Sequence, residues 1–313
     1  MIKVSLISPC YNGETYLTHF LDSLLLQTYQ NVEFIFVNDG STDKTEDIFM
    51  SYKTKLETKG WSVIYIHQEN NGQASALNQG LKIFTGDYLI FPDSDDILYP
   101  NHISQKVEFM EQHPELGFAF CKLDAVDETD INQIKYQMFR KQTTNDNLDL
   151  DLINRNNILW TPIGNIFRRS DFLKAHPSKR IYEGTGGQNF QMLFPMACHS
   201  KYGYIDSSLG KYVIRKESHS RLKKSKEDRD YELIDIWLNT IKNLTNINNQ
   251  TKLLYIKTTF NHYFNLHHPH TSTTLPRIKI KPKTILKPFI KIKEHNKKYK
   301  IYLFGIHLLT IWK

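Results

Sequence analysis

Cysteine is scarce in this chain of 313 residues. Cys10, Cys121 and Cys198 are odd in number and far apart, and no CxxC pair occurs. That excludes a disulfide framework and argues against a structural zinc site. Long apolar runs are also missing: none approaches the ~18 residues that span a bilayer. The first nine residues break at Pro9, too early for a signal peptide. The expectation is a cytoplasmic protein. No GxGxxG follows the first apolar run and no GxxxxGKS/T occurs anywhere. Those absences argue against a dinucleotide enzyme and exclude a P-loop. Acids nearly vanish from 277–300, where ten Lys and Arg face a single Glu294.

What is present suits a globular α/β protein. The chain is 40% hydrophobic, enough at this length to bury a sizeable core. Val4 to Ser8, Val32 to Val37, Val63 to Ile66 and Tyr88 to Phe91 are short apolar runs read as strands. Between them, Leu17, Phe20, Leu21, Leu24 and Leu25, then Ile48, Phe49, Tyr52 and Leu56, then Ala74, Leu77, Leu81 and Phe84 recur at helical spacing. Ser41 or Thr42 is placed to cap the second helix. Strand and helix in alternation predict a parallel sheet with right-handed crossovers. Further on, helices are expected after Pro100, over 188–198, 231–244 and 253–264. Strands are expected over 116–126 and 202–215, and Asp127 to Asp151 reads as a polar excursion.

Each early strand ends in polar or small residues, and parallel strands bring such ends to one edge, where open α/β sheets bind ligands. The strongest of these ends is Asp93-Ser94-Asp95-Asp96. A buried strand cannot hold three adjacent acids unpaired, so they lie just past the strand. Two carboxylates at i and i+2 can converge on one hard divalent cation, Mg²⁺ or Mn²⁺. A solvated acidic turn leading into the next helix is the plainer alternative.

Four motifs together resemble family 2 glycosyltransferases: Ser8-Pro9-Cys10-Tyr11-Asn12-Gly13, Val37-Asn38-Asp39-Gly40-Ser41-Thr42-Asp43, Asn71-Gly72-Gln73-Ala74-Ser75-Ala76-Leu77-Asn78 and Asp93-Ser94-Asp95-Asp96. They stand in the order seen there, and the likeness covers roughly residues 1–220. The resemblance implies a GT-A fold: a Rossmann-like, mostly parallel sheet flanked by helices. It divides into a nucleotide-binding half over 1–100 and an acceptor half over 101–220, followed by a helical, basic region over 221–313. It also implies a nucleotide-sugar donor, a divalent metal and inversion at the anomeric carbon. By the same resemblance Asp39 contacts the nucleoside, often uracil, although Asn38 replaces an acid common beside it. Pro9, Tyr11 and Asn12 lie around the base, and Asn71 and Gly72 beside the donor. Asp93 and Ser94 fall near the ribose, Asp95 holds the metal, and His219 faces the metal or diphosphate. Arg215 and Arg221 are candidates for phosphate oxygens.

The catalytic base departs from the family's pattern. An inverting displacement needs the acceptor hydroxyl deprotonated as it attacks, and the family often uses an Asp from a Glu-Asp pair opening a helix. Here that segment reads Gly187-Gln188-Asn189-Phe190. Glu183 is taken as the base, with Gln188 and Asn189 hydrogen-bonding acceptor hydroxyls. The leading expectation is an inverting, metal-dependent transfer from a UDP-sugar to a bacterial surface glycan or glycolipid, of the lipooligosaccharide or capsule type. A nucleotidyltransferase and a catalytically impaired sugar-nucleotide-binding scaffold remain open as alternatives. In the tail, Pro276, Pro282 and Pro288 forbid a long regular helix. Its basic residues and apolar end, 277–313, suit an anionic membrane surface or a partner subunit; no recognised nucleic-acid-binding fold is visible.

Overall fold

The computed structural model describes residues 2–140, 147–157, 159, 161–184, 186–216, 226–267, 290–295, 298–303 and 306–312. The four early apolar runs form β1 (Val4–Cys10), β2 (Val32–Asp39), β3 (Ser62–Gln68) and β4 (Tyr88–Ile90). They alternate with α1 (Leu17–Leu25), α2 (Thr45–Thr58) and α3 (Gln73–Ile83). β1 pairs in parallel with β2 and β4, and β2 with β3, giving the order β3-β2-β1-β4. Every residue of β1 and β2 is buried, as parallel strands covered on both faces require.

One face of this sheet packs on α1 and α2. Phe34 meets Phe20 of α1, and Phe36 stacks on Phe49 of α2 with ring centres 4.1 Å apart. Each such ring removed from water contributes about 1.5–3 kcal/mol, so this cluster fixes the first two crossovers. α3 packs against β1, and Gly80 permits its close approach. A Cβ at that position would lie 2.4 Å from Ile7 Cγ2.

Beyond β4 the chain runs through β5 (Ile97–Leu98), α4 (His102–Gln112), β6 (Leu116–Asp127), β7 (Asp130–Met138) and α5 (Leu148–Asn154). A 3₁₀ turn at Pro162–Gly164 leads into β8 (Asn165–Arg168), α6 (Arg169–Ala175), α7 (Gln188–His199) and β9 (Lys201–Ile214). β8 joins β4 antiparallel, β6 joins β8 antiparallel, and β9 runs parallel to β6. The sheet order is β3-β2-β1-β4-β8-β6-β9-β5, with β7 paired to β6. The expected α/β sheet flanked by helices is therefore present; its first four strands are parallel and its second half is mixed.

A buried polar clamp holds the second half in place. Lys106 on α4, fully buried, donates to the carbonyls of Ile163 (2.6 Å) and Asn165 (3.0 Å) and to His102 Nε2 (2.9 Å). His102 Nδ1 in turn donates to Leu209 O at 2.7 Å, a tautomer set by this network. Burial lowers the Lys106 ammonium to about 8 and drives His102 well below the ordinary histidine range. α4, the 3₁₀ turn, β8 and β9 are thereby tied together.

Two expectations differ from the structure. Asp127 to Asp151 is not an irregular excursion: β7 pairs antiparallel with β6, and α5 follows. Nearly all of β7 is exposed; Ile134, Tyr136 and Met138 alternate with Lys135 and Gln137, but only Met138 of these packs on the core, and Gln137 Nε2 donates to Asp124 Oδ1 at 3.1 Å. The terminal region is not helical throughout either. After α8 (Lys226–Asn243) and α9 (Asn249–His267) come β10 (Ile290–His295), β11 (Lys298–Leu303) and β12 (Ile306–Trp312), a separate antiparallel sheet. Alternating Ile and Lys from Ile290 to Lys293 suits that period of two. The chain divides into two compact units, 1–262 and 263–313. Among the described residues no helix is long and apolar enough to cross a membrane.

Candidate active site

The loops after β1 and β2 are stitched to each other. Asn12, in the left-handed region at φ 50°, accepts the Thr42 N–H through Oδ1 (2.9 Å) and gives its own N–H to Ser41 Oγ (3.0 Å). The Gly13 N–H bonds Thr45 Oγ1 at 2.7 Å. Asp43 accepts the Glu14 N–H on Oδ2 (2.9 Å) and the Thr45 N–H on Oδ1 (3.0 Å). Asp43 therefore serves the start of α2 in place of Ser41 or Thr42; Asn12 engages the Ser41 hydroxyl and the Thr42 N–H. Gly40 sits at φ +71° against the next loop, where a Cβ would lie 2.6 Å from Asn70 N. Only glycine meets both demands there.

Asp39, at the end of β2, is buried and accepts three hydrogen bonds: from Gln68 Nε2 (2.6 Å), Asn71 N–H (3.0 Å) and Gly72 N–H (2.9 Å). Gly72 is the N-cap of α3, and a carboxylate at a helix N-terminus is favoured by the helix dipole. The next residue, Gln73, donates through Nε2 to Asp93 Oδ1 at 2.6 Å. Adjacent residues at one helix start thus hold the acid beyond β2 and the acid beyond β4. Asn38, by contrast, turns inward, bonded to Tyr65 OH (3.0 Å) and the Ser41 N–H (2.9 Å).

Asp93, Asp95 and Asp96 bring one carboxylate oxygen each to within 4.8 Å of one another. Burial, then the neighbouring charge of Asp95, pushes Asp93 up to about 7, against the bond from Gln73. Asp96 is fully buried; its Oδ1 accepts the Val213 N–H (3.1 Å), while its Oδ2 meets no hydrogen-bond donor among the described residues. Three crowded acids with an orphaned buried oxygen are short of positive charge. The all-oxygen donor set fits a hard divalent cation.

One cation already stands beside them. Arg215, just past β9, donates to Asp95 Oδ2 at 3.1 Å and lies over the Tyr16 ring at 3.9 Å. Asp95, Arg215, Tyr16, Glu128, Ile131 and Val213 line a cleft of about 110 Å³.

The model of the glycosyl transferase family 2 matches residues 5–175, more than half of the chain. This chain belongs to glycosyl transferase family 2. An uncharacterized glycosyltransferase of Rickettsia typhi is 40% identical over 126 residues, 40% of this chain and 37% of the relative. The glycosyltransferase GlyA of Streptococcus pneumoniae is 41% identical over 101 residues, 32% of this chain and 14% of the relative. The minor teichoic acid biosynthesis protein GgaB of Bacillus subtilis is 27% identical over 239 residues, 72% of this chain and 25% of the relative. The matches thus span little more than a third, or less, of these relatives' own length. Among solved structures, S. aureus TarS 1–349 in complex with UDP-GlcNAc superposes with a TM-score of 0.63 at 24% identity, over 86% of this chain and 74% of that one. The mannosyltransferase PcManGT of Pyrobaculum calidifontis, in complex with GDP-Man and Mn²⁺, gives 0.55 at 14% identity, over 87% and 76%. These superpositions establish the shared GT-A fold.

The family 2 residues expected around a donor come together in part. Asn71 and Gly72 bond Asp39, the next residue Gln73 bonds Asp93, and Asn12 bonds Ser41 and Thr42 in the loop after Asp39; Pro9 in β1 is paired to Val37, and Tyr11 is half-buried rather than in the core. Ser94 is buried beside Cys10, and Asp95 carries Arg215. Glu183 bonds none of these described residues: it accepts from Asn78 Nδ2 on α3 (3.0 Å) and from Arg180 (2.8 Å). Asn78 is five residues beyond Gln73, about 7.5 Å along the helix axis. Gln188 and Asn189 open α7, and no acid stands in its first turn. His219 and Arg221 lie outside the described residues. Gln73 could have been found inside the third motif, immediately after Gly72. Tyr16 and Glu128 carry no local signal, because only folding brings them to Asp95 and Arg215.

Proposed function

We propose that this chain carries out an inverting, metal-dependent transfer of one sugar from a nucleotide-diphosphate donor, a UDP-sugar, to a hydroxyl of a bacterial surface glycan. The observation that carries the reading is the bonded chain from Asp39 through Gly72 and Gln73 to Asp93. It fixes the distance between an acid suited to a nucleoside and an acid cluster suited to a metal. The UDP-GlcNAc held by TarS, the Mn²⁺ held by PcManGT and the teichoic acid role in GgaB's name support the same classes of donor, ion and acceptor.

In this reading Pro9, Tyr11 and Asn12 frame the base and Asp39 accepts from it. Asn71 and Gly72 border the donor, and Asp93 and Ser94 meet the ribose. Asp95, with Asp93 and Asp96, would hold Mn²⁺ or Mg²⁺, and His219 is assigned the same neighbourhood. When bound, the ion supplies charge neutralisation to the diphosphate leaving group. Arg215 offers a planar fork to phosphate oxygens. The acceptor oxygen bonds to the anomeric carbon as the carbon–oxygen bond to the diphosphate breaks. The electron pair stays on the departing phosphate oxygen, and the acceptor's proton passes to Glu183. Asn78 and Arg180 hold that carboxylate, and Gln188 and Asn189 orient acceptor hydroxyls. The basic segment 277–313 is assigned to an anionic membrane surface, which would make the protein peripheral on the cytoplasmic face.

Screening UDP- and GDP-sugars with Mn²⁺ for release of the nucleoside diphosphate tests the reading. Wild-type protein is expected to act on a UDP-sugar, and Asp95→Ala to lose that turnover by at least about a hundredfold with an unchanged unfolding midpoint. Full turnover by Asp95→Ala removes the metal role. One observation favours a second reading: Glu183 is already engaged by Arg180 and Asn78, and α7 opens without an acid. A donor bound with Mn²⁺ but neither hydrolysed nor transferred would make the chain a sugar-nucleotide-binding protein.

A further inference from the structure

Ile181, Tyr182 and Glu183 lie between α6 and α7 and belong to no strand. Two side-chain amides, from two different helices, stand where strand neighbours would. Asn78 of α3 accepts the Ile181 N–H on Oδ1 at 2.8 Å and donates through Nδ2 to Ile181 O at 3.0 Å. Gln191 of α7, itself buried, accepts the Tyr182 N–H on Oε1 at 2.6 Å and donates through Nε2 to Tyr182 O at 3.0 Å. Each amide thus meets both the donor and the acceptor of one residue's backbone. The Tyr182 hydroxyl donates in turn to Asp235 Oδ2 of α8 at 3.0 Å. Asn78 Nδ2 and Arg180 Nη2 both fall on Glu183 Oε1, at 3.0 and 2.8 Å, and no described residue bonds Oε2.

We infer that Gln191, together with Asn78, is a positioning residue for Glu183: the two amides hold its carboxylate at one place between α3 and α7, with Oε2 open to the acceptor's hydroxyl. The inference rests on the base reading given above for Glu183. α3 is the common frame. Its start holds Asp39 and Asp93 through Gly72 and Gln73, and about one and a half turns further on Asn78 holds Ile181. A base on a loosely held surface segment samples many positions. With the two residues before it fixed at N–H and C=O, Glu183 keeps little beyond its own rotamers. α7 opens without an acid, yet through Gln191 it grips the segment that carries one. The charged groups on the surrounding elements are Arg180 on the same segment, Lys82 one turn beyond Asn78 on α3, and Asp235 on α8, bonded to Tyr182. The first turn of α7 offers only neutral side chains. As the acceptor oxygen attacks, its O–H bond breaks and the proton passes to Oε2.

The test is the pH dependence of UDP release from the UDP-sugar that wild type turns over, on the full-length protein with Mn²⁺, with UDP affinity by isothermal titration beside it. Gln191→Leu removes both bonds to Tyr182 without touching the carboxylate. It is expected to lower kcat at least about tenfold at every pH, with the acid limb of the profile unmoved and UDP affinity within about twofold of wild type. Gln191→Asn, one methylene short, is the second variant should Gln191→Leu not fold, and it is expected to fall in the same way. Asn78→Asp keeps the acceptor for the Ile181 N–H but sets a second carboxylate against Glu183 Oε1. Its acid limb is expected to move up by about one pH unit, because a like charge disfavours the ionised base. Lowered unfolding midpoints with wild-type kcat and an unmoved limb overturn the inference, as does a loss of UDP affinity equal to the loss of kcat. If Glu183→Gln abolishes turnover while the Gln191 and Asn78 variants match wild type, this inference falls alone. Full turnover by Glu183→Gln, or no UDP release by a wild type that binds UDP, overturns the base reading and this inference with it.

Discussion

A single carboxylate at Asp39 takes two backbone N–H groups and a side-chain amide from the next loop. Hydrogen bonds to a charged group contribute about 1.5–3 kcal/mol each, so Asp39 anchors the start of the β3–α3 loop and of α3. Elsewhere single residues are buried in their neutral form, and that has a pH signature. His176, stacked on Phe172 and bonded to Met192 O, is lowered by burial to about 4. Its unfolded counterpart titrates near 6.5. Between those values the unfolded chain binds more protons, so stability contributed above 6.5 is lost as pH falls towards 4. Asp93, raised to about 7, works in the opposite sense, so the comparison must be between variants. Wild type is expected to lose about 2 kcal/mol more than His176→Gln on going from pH 7 to pH 5, read from urea unfolding midpoints. Equal losses would show that His176 is protonated in the folded state.

At the scale of elements, legibility followed burial. β1 and β2 stand out in the sequence because both faces are covered and their apolar runs are unbroken. α1 and α3 stand out because one face is buried at helical spacing. β7 does not, since its alternation, Ile134, Tyr136 and Met138, is short and set among polar residues, and β5 is two residues long, set by its pairing with β9 rather than by composition. α2 starts at Thr45 rather than after Ser41 or Thr42: Asn12 takes the Ser41 Oγ and the Thr42 N–H, and Asp43 accepts the Thr45 N–H instead. The acids at the ends of β2 and β4 were legible as motifs. Their physical link through Gln73 was not, because a side-chain bond across twenty residues leaves no periodic trace. In the tail, the prolines ruled out one long regular helix, but strands β10 to β12 were not foreseen. The basic stretch 277–300 is expected to bring the full-length protein onto vesicles containing phosphatidylserine in a flotation assay, with release above about 0.5 M salt as charges are screened. Equal flotation with neutral vesicles would mean that charge is not what binds.

At the scale of the molecule, the parallel order β3-β2-β1-β4 carries four loop-bearing strand ends to one rim. The mixed half, locked by Lys106 beneath the 3₁₀ turn and β9, returns Arg215 to that rim from the far side of the sequence. Family membership and fold follow from motifs that the sequence displays openly. The counter-ion arrangement of Tyr16, Glu128 and Arg215 depends on distant segments meeting. In the proposed function this rim binds a nucleotide diphosphate, through Asp39 at one end and a cation on Asp95 at the other. Isothermal titration of UDP into the full-length protein tests it most directly. Binding in Mn²⁺ should weaken at least about tenfold, 1.4 kcal/mol, when EDTA replaces the ion, and by a similar factor in Asp39→Asn and in Asp95→Ala. UDP bound with one affinity by all three proteins, with or without Mn²⁺, would contradict it.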